Sequence, residues 1–272
     1  MQLSIDGVRL DVLDEGSGTP IVLLHGFPLA KETWDQQAAA LARVARVIRL
    51  DLRGLGASAV TAGPYLMEAL AGDVAGVLDA LGVERAVIAG HSLGGYVAFA
   101  FFRMFAERCL GLGIVCSRAA ADGDEMLALR YELAERVERE GLQPIVEWYV
   151  PKYFAPEMYE RAPETVQQVR TIVERSDPRG VAAMLRGIAA RVSSEDLFSE
   201  IDVPLRVVAG TQDAIAPVAF SRRIADGVRS ATLDVLDCGH MPLLEVPDAL
   251  TASLEQLLAL ARAAQNRLRA GG

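Results

Sequence analysis

The chain has 272 residues, of which 51% are hydrophobic, so its length and composition fit one large domain or one domain that carries an insertion. The formal net charge of −9, without any stretch rich in Lys or Arg, argues against nucleic acid and anionic membrane surfaces as partners. Three cysteines without C-x-x-C spacing argue against a disulfide framework or a zinc site, and no signal-peptide pattern or membrane-length apolar run is evident, so we expect a cytoplasmic protein without a metal.

The first half of the chain alternates predicted strands with predicted helices. The Asp6-Gly7 turn joins two alternating segments and predicts an antiparallel hairpin. Short apolar runs predict further strands at residues 21–24, 46–50, 86–89 and 110–116. Helices are predicted between them at residues 32–44, 66–81 and 96–104. This alternation predicts a doubly wound α/β sheet with its functional residues past the carboxyl ends of the strands.

Helical, charge-laced segments, such as residues 124–140 and 163–174, replace the strand pattern between about residues 118 and 201. Prolines punctuate these segments, and their aromatic side chains need a surface on which to pack. We therefore predict a helical cap over 118–201, inserted into a core domain formed by 1–117 and 202–272. Two more strands and a last helix are predicted after the insertion, at residues 205–209, 232–236 and 248–268.

Ser92 lies in a Gly-His-Ser-Leu-Gly motif between a predicted strand and a predicted helix. A Gly-x-Ser-x-Gly motif in this context predicts a sharp strand-to-helix turn that exposes the serine hydroxyl for attack. Serine is a poor nucleophile unless a base and an oxyanion site surround it. Ser92 is therefore our candidate nucleophile, and its partners must be found elsewhere in the chain.

Only three histidines are available to act as the base. His91 is adjacent to Ser92, and adjacent residues on a tight turn point apart. His25 follows the first predicted parallel strand, where bracing of the loop is the favoured role. His240 follows the last predicted strand and would lie at the same edge of the sheet as Ser92, so we predict that His240 is the base.

Asp213 is the candidate carboxylate that orients this base. It follows the strand before that of His240, and the 27 residues between them leave room for one helix and one strand. The resulting order of Ser, Asp and His is the order expected of this motif's fold. Three other carboxylates remain as alternatives, at Asp237, Asp234 and Asp226.

The oxyanion site needs two backbone N–H groups directed at the developing negative charge. One donor is expected from Leu93, which follows the nucleophile and begins a helix with its positive end. The other is expected from the loop after the strand at 21–24. Because Pro28 has no N–H, Phe27 is the predicted donor in that loop.

Five segments of the chain together resemble the serine esterase-like branch of the α/β-hydrolase superfamily, at residues 25–28, 51–58, 90–95, 210–213 and 239–242. The resemblance implies an α/β-hydrolase fold, in which helices flank a mostly parallel eight-stranded sheet and a helical cap follows strand six. It implies a catalytic triad of Ser92, Asp213 and His240, with Phe27 and Leu93 as oxyanion donors. No metal or organic cofactor is implied.

Two details narrow the resemblance. Epoxide hydrolases and haloalkane dehalogenases resemble the chain at residues 25–28, but they place aspartate where Ser92 stands. Asp51 and Arg53 lie in a segment that resembles a family loop, and we expect them to hold that loop in shape rather than to bind substrate.

We expect hydrolysis of a small-molecule carboxylic ester, lactone or thioester through an acyl-enzyme, with that substrate and water as partners. A carbon–carbon bond hydrolase or a perhydrolase would use the same residues, and a non-catalytic ligand receptor is a further alternative. Trp34, Met241, Trp148 and Tyr153 are the candidate substrate contacts. They predict a largely apolar pocket for small, uncharged or weakly acidic acyl groups. The sequence leaves the oligomeric state open.

Overall fold

The computed structural model describes residues 1–270, so residues 271 and 272 of the predicted core segment lie outside the described residues. Its strands are β1 (Gln2–Ile5), β2 (Val8–Gly16), β3 (Pro20–Leu24), β4 (Arg46–Leu50), β5 (Ala86–His91), β6 (Cys109–Val115), β7 (Leu205–Gly210) and β8 (Ala231–Leu236). They form one eight-stranded sheet in the order β1-β2-β4-β3-β5-β6-β7-β8. Only the pairs β1–β2 and β2–β4 are antiparallel in the described chain. The predicted mostly parallel, eight-stranded sheet is confirmed.

Helices cover both faces of this sheet. They are α1 (Asp35–Leu41), α2 (Met67–Ala80), α3 (Leu93–Phe105), α4 (Asp124–Glu140), α5 (Gln143–Tyr153), α6 (Met158–Arg161), α7 (Pro163–Glu174), α8 (Pro178–Ala189), α9 (Val218–Gly227), α10 (Pro242–Glu245) and α11 (Pro247–Ala270). Among residues 1–270, no helix combines the length and the apolar character needed to cross a membrane.

The continuous apolar run of β3 serves two cores at once. Ile21 and Leu23 belong to the cluster formed with α1 and α11. Val22 and Leu24 belong to the cluster formed with α2 and α3 on the other face. Successive side chains of a strand point to opposite faces, so a strand with helices on both sides is apolar at every position.

The segment between β6 and β7 is helical, as predicted. The bounds of α4 and α7 match the predicted helices, whereas α5 and α8 were not predicted individually. A start signal for α8 was present, because Asp177 accepts a hydrogen bond from the Arg179 N–H (2.8 Å) and Pro178 occupies the first turn. Buried side chains of this helical insertion (residues 118–201) share one core cluster with the sheet. The division into a core and a cap domain therefore stays a prediction.

One predicted helix is shorter in the structure. Residues 32–44 were expected to be helical, but Lys31–Trp34 form a 3-10 turn and the α-helix ends at Leu41. The chain closes there with hydrogen bonds from the Val44 and Ala45 N–H groups to the Leu41 carbonyl (2.9 and 2.8 Å), which lead directly into β4. The helix ends early because the chain must turn into β4, in which residues 47–50 are buried.

Candidate active site

Ser92 occupies the single residue between the end of β5 and the start of α3. Its φ of 51° and ψ of −110° lie in a region that residues with a side chain rarely adopt. Two hydrogen bonds hold this turn. The Ser92 N–H donates to the Val115 carbonyl (2.9 Å), and the Ser117 hydroxyl donates to the Ser92 carbonyl (2.7 Å). The strained turn therefore depends on its contacts with β6 and the residues that follow it.

The flanking glycines are required by close approach of the backbone. A Cβ atom at Gly90 would lie 2.0 Å from the Gly94 carbonyl. A Cβ atom at Gly94 would lie 2.3 Å from the Leu24 carbonyl oxygen at the end of β3. No side chain fits at either position, and this explains why the motif has glycine two residues before and two residues after Ser92.

His240 and Asp213 form a buried pair at the carboxyl ends of β8 and β7. The His240 Nδ1 and Asp213 Oδ2 atoms are 2.8 Å apart. The other Asp213 oxygen accepts hydrogen bonds from the Ile215 and Ala216 N–H groups, both at 2.8 Å. Burial by itself would raise the pKa of Asp213, but His240 and these N–H groups outweigh it and hold the pKa below its usual value. Asp213 is therefore ionised and fixed against His240.

The alternative carboxylates have other surroundings. Asp237 interacts with Thr211 and Gln212, whereas Asp234 forms an ion pair with Arg206 (2.7 Å). Asp226 is exposed on α9. Of the four carboxylates considered from the sequence, only Asp213 contacts His240.

His91 positions the backbone of His240. Its Nε2 atom lies 2.8 Å from the His240 carbonyl, and the two ring centroids are 4.9 Å apart. Burial, with a contribution from His240, lowers the pKa of His91 to about 3. The ring is therefore neutral, and its Nε2–H donates to that carbonyl. Sequence reasoning excluded His91 as the base but missed this contact.

Cys116 adds a thiol beside the same pair. One ligand atom from each of Cys116, Asp213 and His240 lies within 4.8 Å of the others, a spacing that would suit a metal ion. Burial raises the pKa of the Cys116 thiol well above its usual value. Metal binding by cysteine requires the thiolate, so a thiol whose pKa is raised in this way is a poor metal ligand. No pattern in the sequence around Cys116 indicated this position.

The backbone N–H groups of Phe27 and Leu93 donate to no acceptor within the described residues. Leu93 is the first residue of α3, where the N–H groups have no partner within the helix. The Tyr153 hydroxyl fixes the loop of Phe27 by donating to its carbonyl (2.8 Å). His25 braces the same loop through the Gly26 carbonyl (2.8 Å) and the Leu52 N–H (3.0 Å), as expected from the sequence.

The segment that contains Asp51 and Arg53 is held by its own side chains. Asp51 accepts hydrogen bonds from the Lys31 N–H (2.7 Å), the Lys31 ammonium (2.8 Å) and the Ala57 N–H (2.8 Å). Arg53 forms a two-point ion pair with Asp73 at 2.6 and 2.5 Å. Both side chains therefore maintain the loop, in agreement with the expectation from the sequence.

Ser92 and His240 line a common cavity of about 90 Å³. The predicted contacts Trp148 and Tyr153 line it as well, together with Phe27 and Leu93. The insertion and the loop after β3 thus meet over Ser92.

Two predicted substrate contacts, Trp34 and Met241, do not line this cavity. Trp34 is fully buried in the cluster beneath α1 and α11, on the face of the sheet away from the insertion. Met241 is fully buried in the core at the start of α10, and its N–H donates to Glu245 (3.1 Å). Neither side chain lines the cavity, because core packing takes up each of them.

The lining of the cavity is mainly apolar and aromatic, as expected, but it also carries positive charge. Three cationic side chains line it, at Arg118, Arg130 and Lys152. The sequence analysis did not single out these residues, because their position on a common wall depends on how the insertion folds over the sheet.

Comparisons with known proteins agree with this fold. A model of the alpha/beta hydrolase family matches residues 21–253. The chain is 30% identical over 226 residues to 3-oxoadipate enol-lactonase 2 of Acinetobacter baylyi, and the alignment covers 83% of each protein. It is also similar, with a TM-score of 0.93 and 36% identity over 96% of this chain and 98% of the other, to a malate-bound thermophilic esterase from Thermogutta terrifontis. The enol-lactonase from Burkholderia xenovorans LB400 gives a TM-score of 0.90 and 29% identity over 95% of this chain and all (100%) of its own. The chain belongs to the alpha/beta hydrolase family.

Proposed function

We propose that the protein hydrolyses a small carboxylic ester or lactone through an acyl-enzyme formed on Ser92. The observation that carries this proposal is the buried His240–Asp213 pair, in which His240 lines the same cavity as Ser92. The esterase and the enol-lactonases similar to this chain support the same reaction class. A cytoplasmic location remains part of the proposal.

The proposed reaction assigns one role to each of these groups. The Ser92 hydroxyl oxygen attacks the acyl carbon while His240 Nε2 takes its proton, and Asp213 stabilises the resulting imidazolium. The N–H groups of Phe27 and Leu93 donate to the oxyanion. His240 then returns the proton to the leaving alkoxide and the acyl group stays on Ser92; an ester thereby releases an alcohol, whereas an opened lactone keeps the new hydroxyl on its acyl chain. Water attacks the acyl-enzyme in a second cycle of the same proton transfers and releases the acid.

The helical insertion serves in this proposal as a cap over the reacting serine. Its helices α4, α5 and α8 contribute Arg130, Trp148 and Ile188 to the lining of the cavity. A cavity of about 90 Å³ is well below the roughly 300–1,000 Å³ of sites for drug-sized ligands. The cap therefore restricts the substrate to short acyl groups.

The test compares wild-type protein and Ser92→Ala on p-nitrophenyl esters from acetate to octanoate. We expect the wild type to favour the short esters, and Ser92→Ala to lose about 10³-fold or more of kcat/KM. Ser199→Ala, which changes an exposed serine, is the matched control and should keep full activity. A fluorophosphonate probe should label the peptide that contains Ser92.

Two results would contradict the proposal: no hydrolysis at any acyl length, or undiminished hydrolysis by Ser92→Ala. Turnover of a carbon–carbon diketone in preference to every ester would instead identify the carbon–carbon bond hydrolase. Saturable binding without turnover would identify the receptor.

A further inference from the structure

The cavity that holds Ser92 has a cationic wall within an acidic protein. Arg118, Arg130 and Lys152 line it, and none of the described residues that line it is an aspartate or a glutamate. The chain as a whole carries a net charge of −9. Surplus positive charge at the reacting serine is therefore a local feature, and it calls for an anionic partner.

The carboxylate nearest to Arg118, that of Asp122, is already paired with two other arginines. Asp122 is buried and forms ion pairs with Arg130 and with Arg191 (2.9 Å). Burial by itself would raise the pKa of Asp122, but the two guanidinium groups lower it to about 2. Asp122 thus hydrogen-bonds to two guanidinium groups, and it lies beyond hydrogen-bond distance of a third, that of Arg118.

Arg118 has unused hydrogen-bond donors. Its side chain is 11% exposed, and its nearest carboxylate contact, from Nη1 to Asp122, is 3.8 Å, beyond hydrogen-bond distance. The Arg118 Nε–H donates weakly to the Tyr96 hydroxyl (3.4 Å), while its two terminal nitrogens donate to no described residue. The terminal nitrogens have no hydrogen-bond acceptor among the described residues and belong to a side chain that is mostly removed from water, so this position favours an anion bound from the cavity.

Two neighbours support an anion at this place. The Phe220 ring lies 4.9 Å from the Arg118 guanidinium carbon, which holds the planar group in one orientation. Lys152 lies over the Trp148 ring at 3.1 Å and forms no ion pair with a described residue. Arg118 and Lys152 therefore make the electrostatic potential positive along the part of the cavity wall that they line.

The backbone fixes the distance between Arg118 and the nucleophile. Ser117, the residue before Arg118, donates a hydrogen bond to the Ser92 carbonyl (2.7 Å). The guanidinium is thus anchored beside the turn that carries Ser92. We propose that Arg118 binds a carboxylate of the substrate, so that the enzyme prefers small esters or lactones with an ionised acid group a few atoms from the scissile bond. Paired terminal nitrogens of arginine match the two oxygens of a carboxylate. This inference deepens the proposed function and rests on it.

The test uses two aryl esters that differ only in charge. They are p-nitrophenyl hemiglutarate, which carries a free carboxylate, and the methyl ester of the same compound. We expect the wild type to prefer the anion, and Arg118→Met to reduce the ratio of the two kcat/KM values by about 10- to 100-fold. Arg118→Lys, which keeps the charge without the planar pair of donors, should retain part of the preference.

The control is Arg139→Met, which removes the same charge from an exposed position on α4 and should leave the ratio as in the wild type. Circular dichroism verifies that each variant is folded. If Arg118→Met does not fold, Arg118→Lys alone must still lower the ratio. Equal use of both esters by the wild type, or an unchanged ratio in the Arg118 variants, would overturn the inference while Ser92-dependent hydrolysis stood.

A binding measurement separates the two proposals if neither ester is cleaved. Glutarate should bind to the Ser92→Ala protein in calorimetry, and at least about tenfold more weakly when Arg118→Met is added. That result would support the anion site although the proposed hydrolysis had failed. Glutarate binding that is absent, or equal in both proteins, would overturn the site as well.

Discussion

Three histidines serve three different purposes because their surroundings differ. His25 and His91 are completely buried, and burial lowers the pKa of each ring. His25 braces the loop of Phe27, and His91 holds the backbone carbonyl of His240. His240 alone among the three contacts a carboxylate, Asp213, within hydrogen-bond distance. Residue type narrowed the search for a base, and hydrogen-bond partners separated the three candidates.

His91 should make the protein sensitive to acid. Its pKa is about 3 in the folded state, whereas the ordinary pKa of histidine is 6.5, so between these values the unfolded chain binds a proton that the folded chain does not. Stability contributed by neutral His91 is complete above the unfolded value and falls as the pH is lowered through this window. His91→Gln keeps a donor to the His240 carbonyl and removes the titration. Between pH 7 and pH 4 the wild type should lose up to about 3 kcal/mol more unfolding free energy than this variant.

Urea unfolding at pH 7, 5.5 and 4 measures this difference. The comparison between pH values cancels any constant cost of the substitution. Parallel pH profiles for the two proteins would show that His91 does not supply the acid sensitivity. The ion pairs of Asp122 are lost at lower pH than this. The pKa of Asp122 falls from its ordinary value of 3.8 to about 2 in the folded protein, so the stability that Asp122 contributes is lost as the pH falls from 3.8 towards 2.

At the scale of elements, the β5–Ser92–α3 unit combines a local sequence signal with a tertiary constraint. The motif predicts the sharp turn, and the structure adds that α3 starts against the end of β3. Gly94 allows this approach, and Gly95 leaves room for Ser117, whose hydroxyl would lie 2.5 Å from a Cβ atom there. The turn is therefore fixed by three strands, of which only β5 is adjacent in sequence.

Gly94→Ala should unfold or severely destabilise the protein. The new Cβ atom would lie 2.3 Å from the Leu24 carbonyl oxygen, and neither backbone segment can move without shifting the sheet. We expect a loss of at least about 3 kcal/mol in unfolding free energy, measured by urea unfolding. The matched control is Gly72→Ala on α2, where a Cβ atom meets nothing within 4 Å. Alanine there should stabilise the helix by about 0.5–1 kcal/mol. Equal effects of the two substitutions would contradict this explanation.

At the scale of the whole molecule, the sheet and the helical insertion share one apolar core. Ile145 and Leu185 of the insertion belong to the same cluster as Leu24 and Phe99 of the sheet and its helix. A shared core predicts that the two parts lose their structure together. Because the sequence pattern changes sharply near residues 118 and 201, it suggests separate domains, whereas the packing indicates one cooperative unit.

The two tryptophans provide a test of this cooperativity. Trp34 lies beneath α1, and Trp148 lies on α5 in the insertion. In Trp34→Phe the fluorescence reports on Trp148, and in Trp148→Phe it reports on Trp34. We expect that, in each variant, the urea midpoint from fluorescence equals the midpoint from circular dichroism. A Trp148 signal that changes at a lower urea concentration would show that the insertion unfolds on its own.

The sequence by itself determined the features that depend on local chain geometry and on the order of the functional residues along the chain. Apolar runs marked the strands, and glycines around Ser92 marked the turn, because each reflects backbone constraints within a few residues. The order of Ser92, Asp213 and His240 identified the candidate triad residues, and His240 contacts Asp213 in the structure.

Only the tertiary structure decided which side chains meet across long separations. Trp34 and Met241 looked available for a substrate, yet helix packing buries both in the core. His91 meets the carbonyl of His240 from 149 residues away, and Arg118 shares its cavity with groups of the insertion. The physical reason is that burial and pairing depend on how helices pack on the sheet, and a side chain's own neighbours in sequence do not specify that packing.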